Sequence, residues 1–279
     1  MKKIGFIDYF LDEWHAEQYP EWVSKASGGA MKVAYAYGRI DSPTGAANAE
    51  WCAKKGIELL DSIEEIVAKS DYLIVLSPDH PEFHWELSQL PLQSGKPTYI
   101  DKTFAPDRVT ALALFDLAAQ HGTPMYTSSA LRFAKEYAET DRSEIQTITS
   151  VGPGKFENYS IHQIEPIVSL MGSSPKRVMS IGTANSPALL IDFGYGKQAE
   201  MRHFGWECPF SMVLNYASGN AKVLKVASDY FGNFIQNLIT FFETSKPVVD
   251  KAETIAIISI IEYGRRAMET PYQWVELPS

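Results

Sequence analysis

Cysteine is nearly absent: the 279 residues contain only two, Cys52 and Cys208. Two cannot build a disulfide framework, and neither belongs to a Cys-x-x-Cys or Cys/His pairing of the kind a structural zinc site needs. A reducing compartment is expected, and a metal centre is not. Positive charge is also scarce. Lys and Arg number 25 against 34 Asp and Glu, a formal charge of −9. A nucleic-acid footprint needs clustered cations to displace counterions from phosphates, so nucleic acid is not an expected partner. No apolar run approaches the roughly 20 residues of a membrane-spanning helix. The densest, Ile255 to Ile258 with Ile260 and Ile261 behind it, stops far short. Met1-Lys2-Lys3 leads straight into Ile4-Gly5-Phe6-Ile7, with no long apolar segment and no small-residue cleavage site. A cytoplasmic protein without a membrane partner is expected.

Enough apolar material is present for a sizeable core, with 45% hydrophobic and 21% charged residues. Its arrangement is informative. Ile4–Ile7, Met31–Tyr37, Tyr72–Leu76, Pro97–Ile100 and Pro124–Ser128 read as strands. Between them lie helical stretches: the segment to Val23, then Thr44–Lys55, Ser62–Lys69, Phe83–Leu92 and Ala105–His121. Ser62 with Glu65 three residues on is a capping-box pattern. The continuous apolar run Tyr72–Leu76 is what a buried parallel strand shows. Strands alternating with helices of this length imply βαβ units and a doubly wound parallel sheet over residues 1–128.

After about residue 140 the pattern changes. Glu144–Val151, Arg177–Thr183, Ala188–Phe193, Gln198–Gly205 and Ser211–Tyr216 read as consecutive strands joined by Gly, Asn and Pro turns, which suggests a mainly antiparallel sheet. Helices are expected over Asn233–Phe242 and Lys251–Met268. The fold class is therefore α/β: a Rossmann-like domain over 1–128 and a C-terminal α+β domain over 129–279, whose last helices could return to the first domain.

Ligands of a doubly wound sheet bind beyond the carboxyl ends of its strands, so the residues there are the candidates. After the first strand come Asp8-Tyr9-Phe10-Leu11-Asp12-Glu13, where a GxGxxG turn would let the backbone approach a pyrophosphate; no glycine is present. Three carboxylates and two bulky rings oppose pyrophosphate docking in the usual pose, and capping of the next helix by Asp12 and Glu13 explains the acids more simply. After the second strand, Arg39 could face a 2′-phosphate or an adenine, and Tyr37 could stack on an adenine. His80 and His84, four apart, could share a helix face and a metal, but Pro81 in a first turn with Asp79 as a nearby cap explains the segment more simply. Lys102, beside Asp101 at the end of a strand, is placed for an anionic or hydroxylated substrate. His162, read as near the N-terminus of an apolar helix Ile164–Met171, could exchange a proton near neutral pH.

Four places together resemble the Gfo/Idh/MocA family of oxidoreductases. These are the first strand followed by Trp14-His15-Ala16, the Ser77-Pro78-Asp79-His80 turn, Asp101-Lys102-Thr103, and Asn158 to His162 leading into Glu165-Pro166-Ile167-Val168-Ser169-Leu170-Met171-Gly172. The resemblance implies a Rossmann domain followed by an open-sheet domain that often forms the oligomer contact. It also implies hydride transfer between NAD or NADP and a sugar- or cyclitol-like alcohol. By position, Lys102 matches the lysine of the family's Glu-Lys-Pro motif and His162 its frequent acid/base. Asn158 and Tyr159 fall on the substrate side. Asp8, Tyr9, Tyr37, Arg39, Ser77, Pro78, His80 and Asp101 fall on the cofactor side. The motif reads Asp-Lys-Thr here, Asn158 stands where relatives carry an aspartate, and the glycine fingerprint is missing.

Three readings follow. The first is a nicotinamide-dependent oxidoreductase using Lys102 and His162, a homo-oligomer through its C-terminal sheet. The second is a degenerate member that binds a small polyol, sugar or partner without turnover. The third is a metal-dependent hydrolase or lyase around His80 and His84. A short-chain dehydrogenase relay is excluded because no Tyr-xxx-Lys pair occurs, and no GxSxG elbow follows any strand.

Overall fold

The computed structural model describes residues 1–278. Six strands, β1 (Lys2–Asp8), β2 (Met31–Gly38), β3 (Glu58–Leu59), β4 (Tyr72–Val75), β5 (Thr98–Ile100) and β6 (Met125–Tyr126), form one sheet in the order β3-β2-β1-β4-β5-β6. Every pairing in it is parallel. The connecting helices are α1 (Trp14–Ala26), α2 (Asn48–Lys55), α3 (Ile63–Lys69), α4 (His84–Gln93) and α5 (Arg108–Gln120). Strand order reverses between β1 and β4, so the loops after those two strands flank the switch point. The strands themselves are sealed: Ile4, Phe6, Ile7, Leu73, Ile74 and Val75 have no exposed surface.

Local chemistry explains the helix starts. Ser62 caps α3 by accepting from the Glu65 amide at 3.2 Å, and the Glu65 carboxylate reaches back to the Asp61 amide at 3.2 Å. Asp107 caps α5 in the same way. Helix α2 begins at Asn48 rather than Thr44, because Asn48 is drawn into the loops. Its side-chain oxygen accepts from the Leu11 amide at 3.0 Å, and its amide group donates to the Gly38 and Ile40 carbonyls at 3.1 and 2.7 Å. Gly38 permits this, since a Cβ there would lie 2.5 Å from the Asn48 side chain.

A second sheet contains seven strands: β7 (Ile145–Gly152), β8 (Arg177–Ser180), β9 (Ala188–Gly194), β10 (Lys197–His203), β11 (Ser211–Tyr216), β12 (Ala221–Lys225) and β13 (Val275–Glu276). Its order is β12-β11-β7-β10-β9-β8-β13, antiparallel except for the parallel β7–β10 pair. Strands β3, β12 and β13 escaped the pattern reading because two are two residues long and β12 is mostly exposed. The helices of the second half are α6 (Lys135–Ala138), α7 (Phe156–Met171), α8 (Tyr230–Thr244) and α9 (Lys251–Glu269).

Residues group into two compact units, one of 1–128 with 232–250 and one of 129–231 with the chain from Lys251 onward. In the first unit, α8 sets Phe234 against Tyr19 and Tyr99, Phe241 against Tyr126, and Phe242 in a stack on Tyr72. In the second, α7 and α9 share a core with Ile148, Leu189, Ile191, Met201 and Leu214 of the sheet.

Replacing Asn48 by alanine removes one acceptor and two donors at a site 6% exposed. A loss of about 2–3 kcal/mol in urea unfolding is expected, since buried partners left unpaired cost about 1–3 kcal/mol; a change within error would show that water replaces the side chain there.

Candidate functional site

The loop after β1 is built from side chains. Tyr9 stacks on Phe83 with centroids 3.9 Å apart and planes at 8°, and His80 lies 5.5 Å from Tyr9 and 6.0 Å from Phe10. The guanidinium of Arg39 sits 5.6 Å from the Phe83 ring and pairs with Glu86. The loops from both sides of the switch point thus meet in an aromatic cluster. Tyr37 is half-buried at the end of β2.

The three acids of this loop do different things. Asp12 accepts from the Ala46 amide at 2.6 Å and does not cap α1. Glu13 is the cap, its two oxygens accepting from the His15 amide at 2.7 Å and from the Ala16 amide. Asp8, 1% exposed, accepts from the Tyr9 amide at 2.6 Å through Oδ1, while Oδ2 has no hydrogen-bond partner. Burial, with Glu13 and Asp101 close by, pushes the Asp8 carboxyl well above its usual range. Burial likewise lifts Glu13 to about 7, against the opposing pull of His15 and the two amides.

Strands β4 and β5 supply the rest. Ser77 holds a left-handed backbone (φ 75°), a sparsely populated region for a non-glycine residue, and its hydroxyl donates to the His80 carbonyl at 3.1 Å. Asp79 provides no helix cap; it pairs instead with Lys102, whose Nζ is 3.4 Å from Asp79 Oδ1 and 3.4 Å from the Pro78 carbonyl. Lys102 is 8% exposed, so it is a buried cation and not a surface one. His84 turns inward, its ring nitrogens facing the Phe104 carbonyl at 3.0 Å and the Leu76 carbonyl, and burial lowers its pKa. With both nitrogens engaged, His84 has none to share with His80, which removes the metal reading. Among the described residues no group of three or more His, Cys, Asp or Glu side chains could hold a metal ion.

One pair was not anticipated. His15, in the first turn of α1, contacts Asp101 Oδ2 through Nδ1, and its ring stacks on Tyr19 at 5.2 Å. The Tyr99 hydroxyl is 3.1 Å from Asp101 Oδ1 and 2.8 Å from the Ser128 carbonyl. Burial would raise Asp101, yet the neighbouring His15 and Lys102 hold it below its usual value. The strand-end position of Asp101 was visible in sequence; its partner, 86 residues away, was not.

In the second unit, α7 starts at Phe156, so His162 lies in its second turn and not at its N-terminus; the dipole reasoning does not apply. Its Nδ1 is 2.7 Å from Ser129 Oγ, and its ring meets Tyr159 edge-on at 5.1 Å and Phe210 at 5.9 Å. Tyr159 stands against Trp206, which is 63% exposed. Buried Glu165 accepts from the Ser129 amide at 2.6 Å and lies 3.8 Å from Arg132, which pairs with Glu253 at 2.6 Å. Asn158 is exposed on the first turn. Ser129 and Glu165 carried no sequence signal beyond the wording of the helix.

No family model and no curated protein matches the sequence. The fold, by contrast, has many solved counterparts. GenD2 from gentamicin A biosynthesis, solved in complex with NAD, superposes with a TM-score of 0.81 at 11% identity, covering 100% of this chain and 97% of that one. The apo scyllo-inositol dehydrogenase from Lactobacillus casei gives 0.78 at 14%, covering 99% and 98%. UDP-N-acetylglucosamine 3-dehydrogenase GnnA from Acidithiobacillus ferrooxidans gives 0.77 at 16%, covering 95% and 97%. These structural neighbours are Gfo/Idh/MocA-type dehydrogenases, and the chain has their two-domain fold. No helix among the described residues is long and apolar enough to cross a membrane.

The dinucleotide that such a fold implies does not fit the first loop in the usual way. The amides of His15 and Ala16, which a pyrophosphate would use, are taken by Glu13.

The acids give the folded chain a pH signature. Glu13 faces His15 on α1, Asp8 on β1 and Asp101 just beyond β5. A carboxyl whose folded pKa is raised binds its proton more tightly when folded, so stability falls as pH rises from about 4.5 through about 7. Asp101 runs the other way and stays ionised across that window. Between pH 5 and pH 8, Glu13→Gln should lose about 2 kcal/mol less stability than the native chain in urea titrations; equal losses would show that Glu13 does not titrate there.

Proposed function

We propose that the chain is an oxidoreductase of the Gfo/Idh/MocA type that interconverts a ring hydroxyl and a carbonyl on a sugar- or cyclitol-like alcohol, with NAD or NADP as its redox partner. The observation that carries this reading is the match of the whole chain to dehydrogenases, with a buried lysine at the end of β5. In it, Lys102 orients the substrate hydroxyl, and His162, its Nδ1 against Ser129, exchanges the hydroxyl proton. Asn158 and Tyr159 contact the ring. Ser77, Pro78 and Asp101 serve the nicotinamide end, while Asp8, Tyr9, Tyr37, Arg39 and His80 line the remaining cofactor side. A second reading, binding of a small polyol, sugar or partner without turnover, is favoured by the Glu13 carboxylate on the amides of α1.

A ligand that binds only the folded chain raises its melting temperature. Millimolar NADH or NADPH should therefore do so, and Lys102→Ala or His162→Ala should cut oxidation of inositols or hexoses by at least about 100-fold, the usual worth of a proton-transferring group. No stabilisation by either cofactor and no turnover with any of these alcohols would leave the second reading.

We also propose that the chain self-associates through the open face of its seven-stranded sheet. Val223, Val213, Thr149, Glu200, Leu190 and Met179 follow one another across five strand pairs on the side away from the core, all at least partly exposed. Val213→Glu should convert an oligomer to a monomer in light scattering; a monomeric native chain would refute the contact.

A further inference from the structure

The first loop already places a carboxyl group where a phosphate would dock. Rossmann-like domains receive phosphate on the N-terminal amides of the helix that follows β1, where the peptide dipoles point their positive ends. Here α1 presents the amides of His15 and Ala16, and both donate to the two oxygens of the Glu13 carboxylate, one oxygen each. A carboxylate gripped by two amides at a helix start has the charge and the acceptor geometry of a phosphate edge.

The surroundings hold it there. Glu13 sits between loop positions that are themselves tied down: the Leu11 amide to Asn48, Asp12 to the Ala46 amide, and the Glu13 amide to the Leu11 carbonyl at 2.9 Å. Independently, Asp8 places a buried carboxyl oxygen without a hydrogen-bond partner at the end of β1, close enough for Glu13 to raise its pKa. An incoming dianion would meet the ionised Asp101 as well as the Glu13 carboxyl, with His15 already committed to Asp101. Nothing in the loop offers to replace what the amides have.

We infer that Glu13 is a built-in substitute for phosphate, so that the native chain is closed to pyrophosphate at α1 and any dinucleotide it uses is held elsewhere. The inference rests on the oxidoreductase reading only for where that fold would put its cofactor.

Glycine at the Glu13 position is a tolerated helix cap and frees both amides, and serine keeps a short neutral cap as a second route. Calorimetric titration with inorganic pyrophosphate and, separately, with NADH is the test. Glu13→Gly and Glu13→Ser should bind pyrophosphate at least ten times more tightly than the native chain, while Glu13→Gln, whose oxygen still accepts from one amide and whose bulk still fills the space, should gain less than either. If the folded variants, checked by circular dichroism, bind pyrophosphate no better than the native chain, the inference is wrong. If the native chain binds NADH, and Glu13→Gly gains pyrophosphate affinity without binding NADH more tightly, the dinucleotide is held away from α1, which supports the inference and leaves the oxidoreductase reading standing. A native chain that binds neither probe, beside a glycine variant that binds both, supports the inference and counts against nicotinamide turnover.

Discussion

A parallel sheet buried on both faces can expose chemistry only where its strands end. Strands β1, β4 and β5 are buried toward their carboxyl ends, and the reversal of strand order between β1 and β4 opens the loops beyond those ends. Everything of functional interest in the first unit lies there: Asp8, the Tyr9–Phe83 stack, Glu13, Ser77, Asp101 and Lys102. The sheet fixes these positions, and the loops decide what occupies them. In this chain they are occupied by side chains that largely satisfy one another, Asp8 Oδ2 being the exception.

The electrostatics of that region are internally balanced. Asp101 stays ionised because His15 and Lys102 sit beside it, whereas Asp8 and Glu13 are driven toward their neutral forms chiefly by burial, Asp8 also by the neighbouring Glu13. Three acids near one loop are therefore not three negative charges. One is paired, one caps a helix, and one is pushed toward its neutral form by burial. The loop remains inhospitable to phosphate less through net repulsion than through prior occupation of its donors.

Much of this was legible in the sequence, and the gaps have physical causes. The alternation of strands and helices gave the doubly wound sheet, and the capping signal at Ser62 was met in detail. Glu13 was recognised as a cap, but Asp12 beside it was misassigned, because only the folded loop brings the Ala46 amide within 2.6 Å. The start of α7 lies earlier than the pattern suggests, since Phe156 is the one buried residue of its first turn and the exposed Glu157 and Asn158 beside it mask the helical period. His84 looked like half of a metal pair until the fold turned it inward onto two carbonyls. Strands as short as β3 and β13 carry too few residues for any period to show.

The sequence by itself determined the class of each half, the absence of a glycine turn after β1, and the presence of Lys102 at a strand end, all of which are local properties of composition and spacing. Only the tertiary structure decided which of the local acids would be shared, paired or protonated. His15 meets Asp101 across 86 residues, Lys102 meets Asp79 across 23, and His162 meets Ser129 across 33. Such partnerships depend on burial and on distances through space, and a buried charge settles on whatever partner the fold delivers, because leaving it unpaired costs more than any local preference can repay.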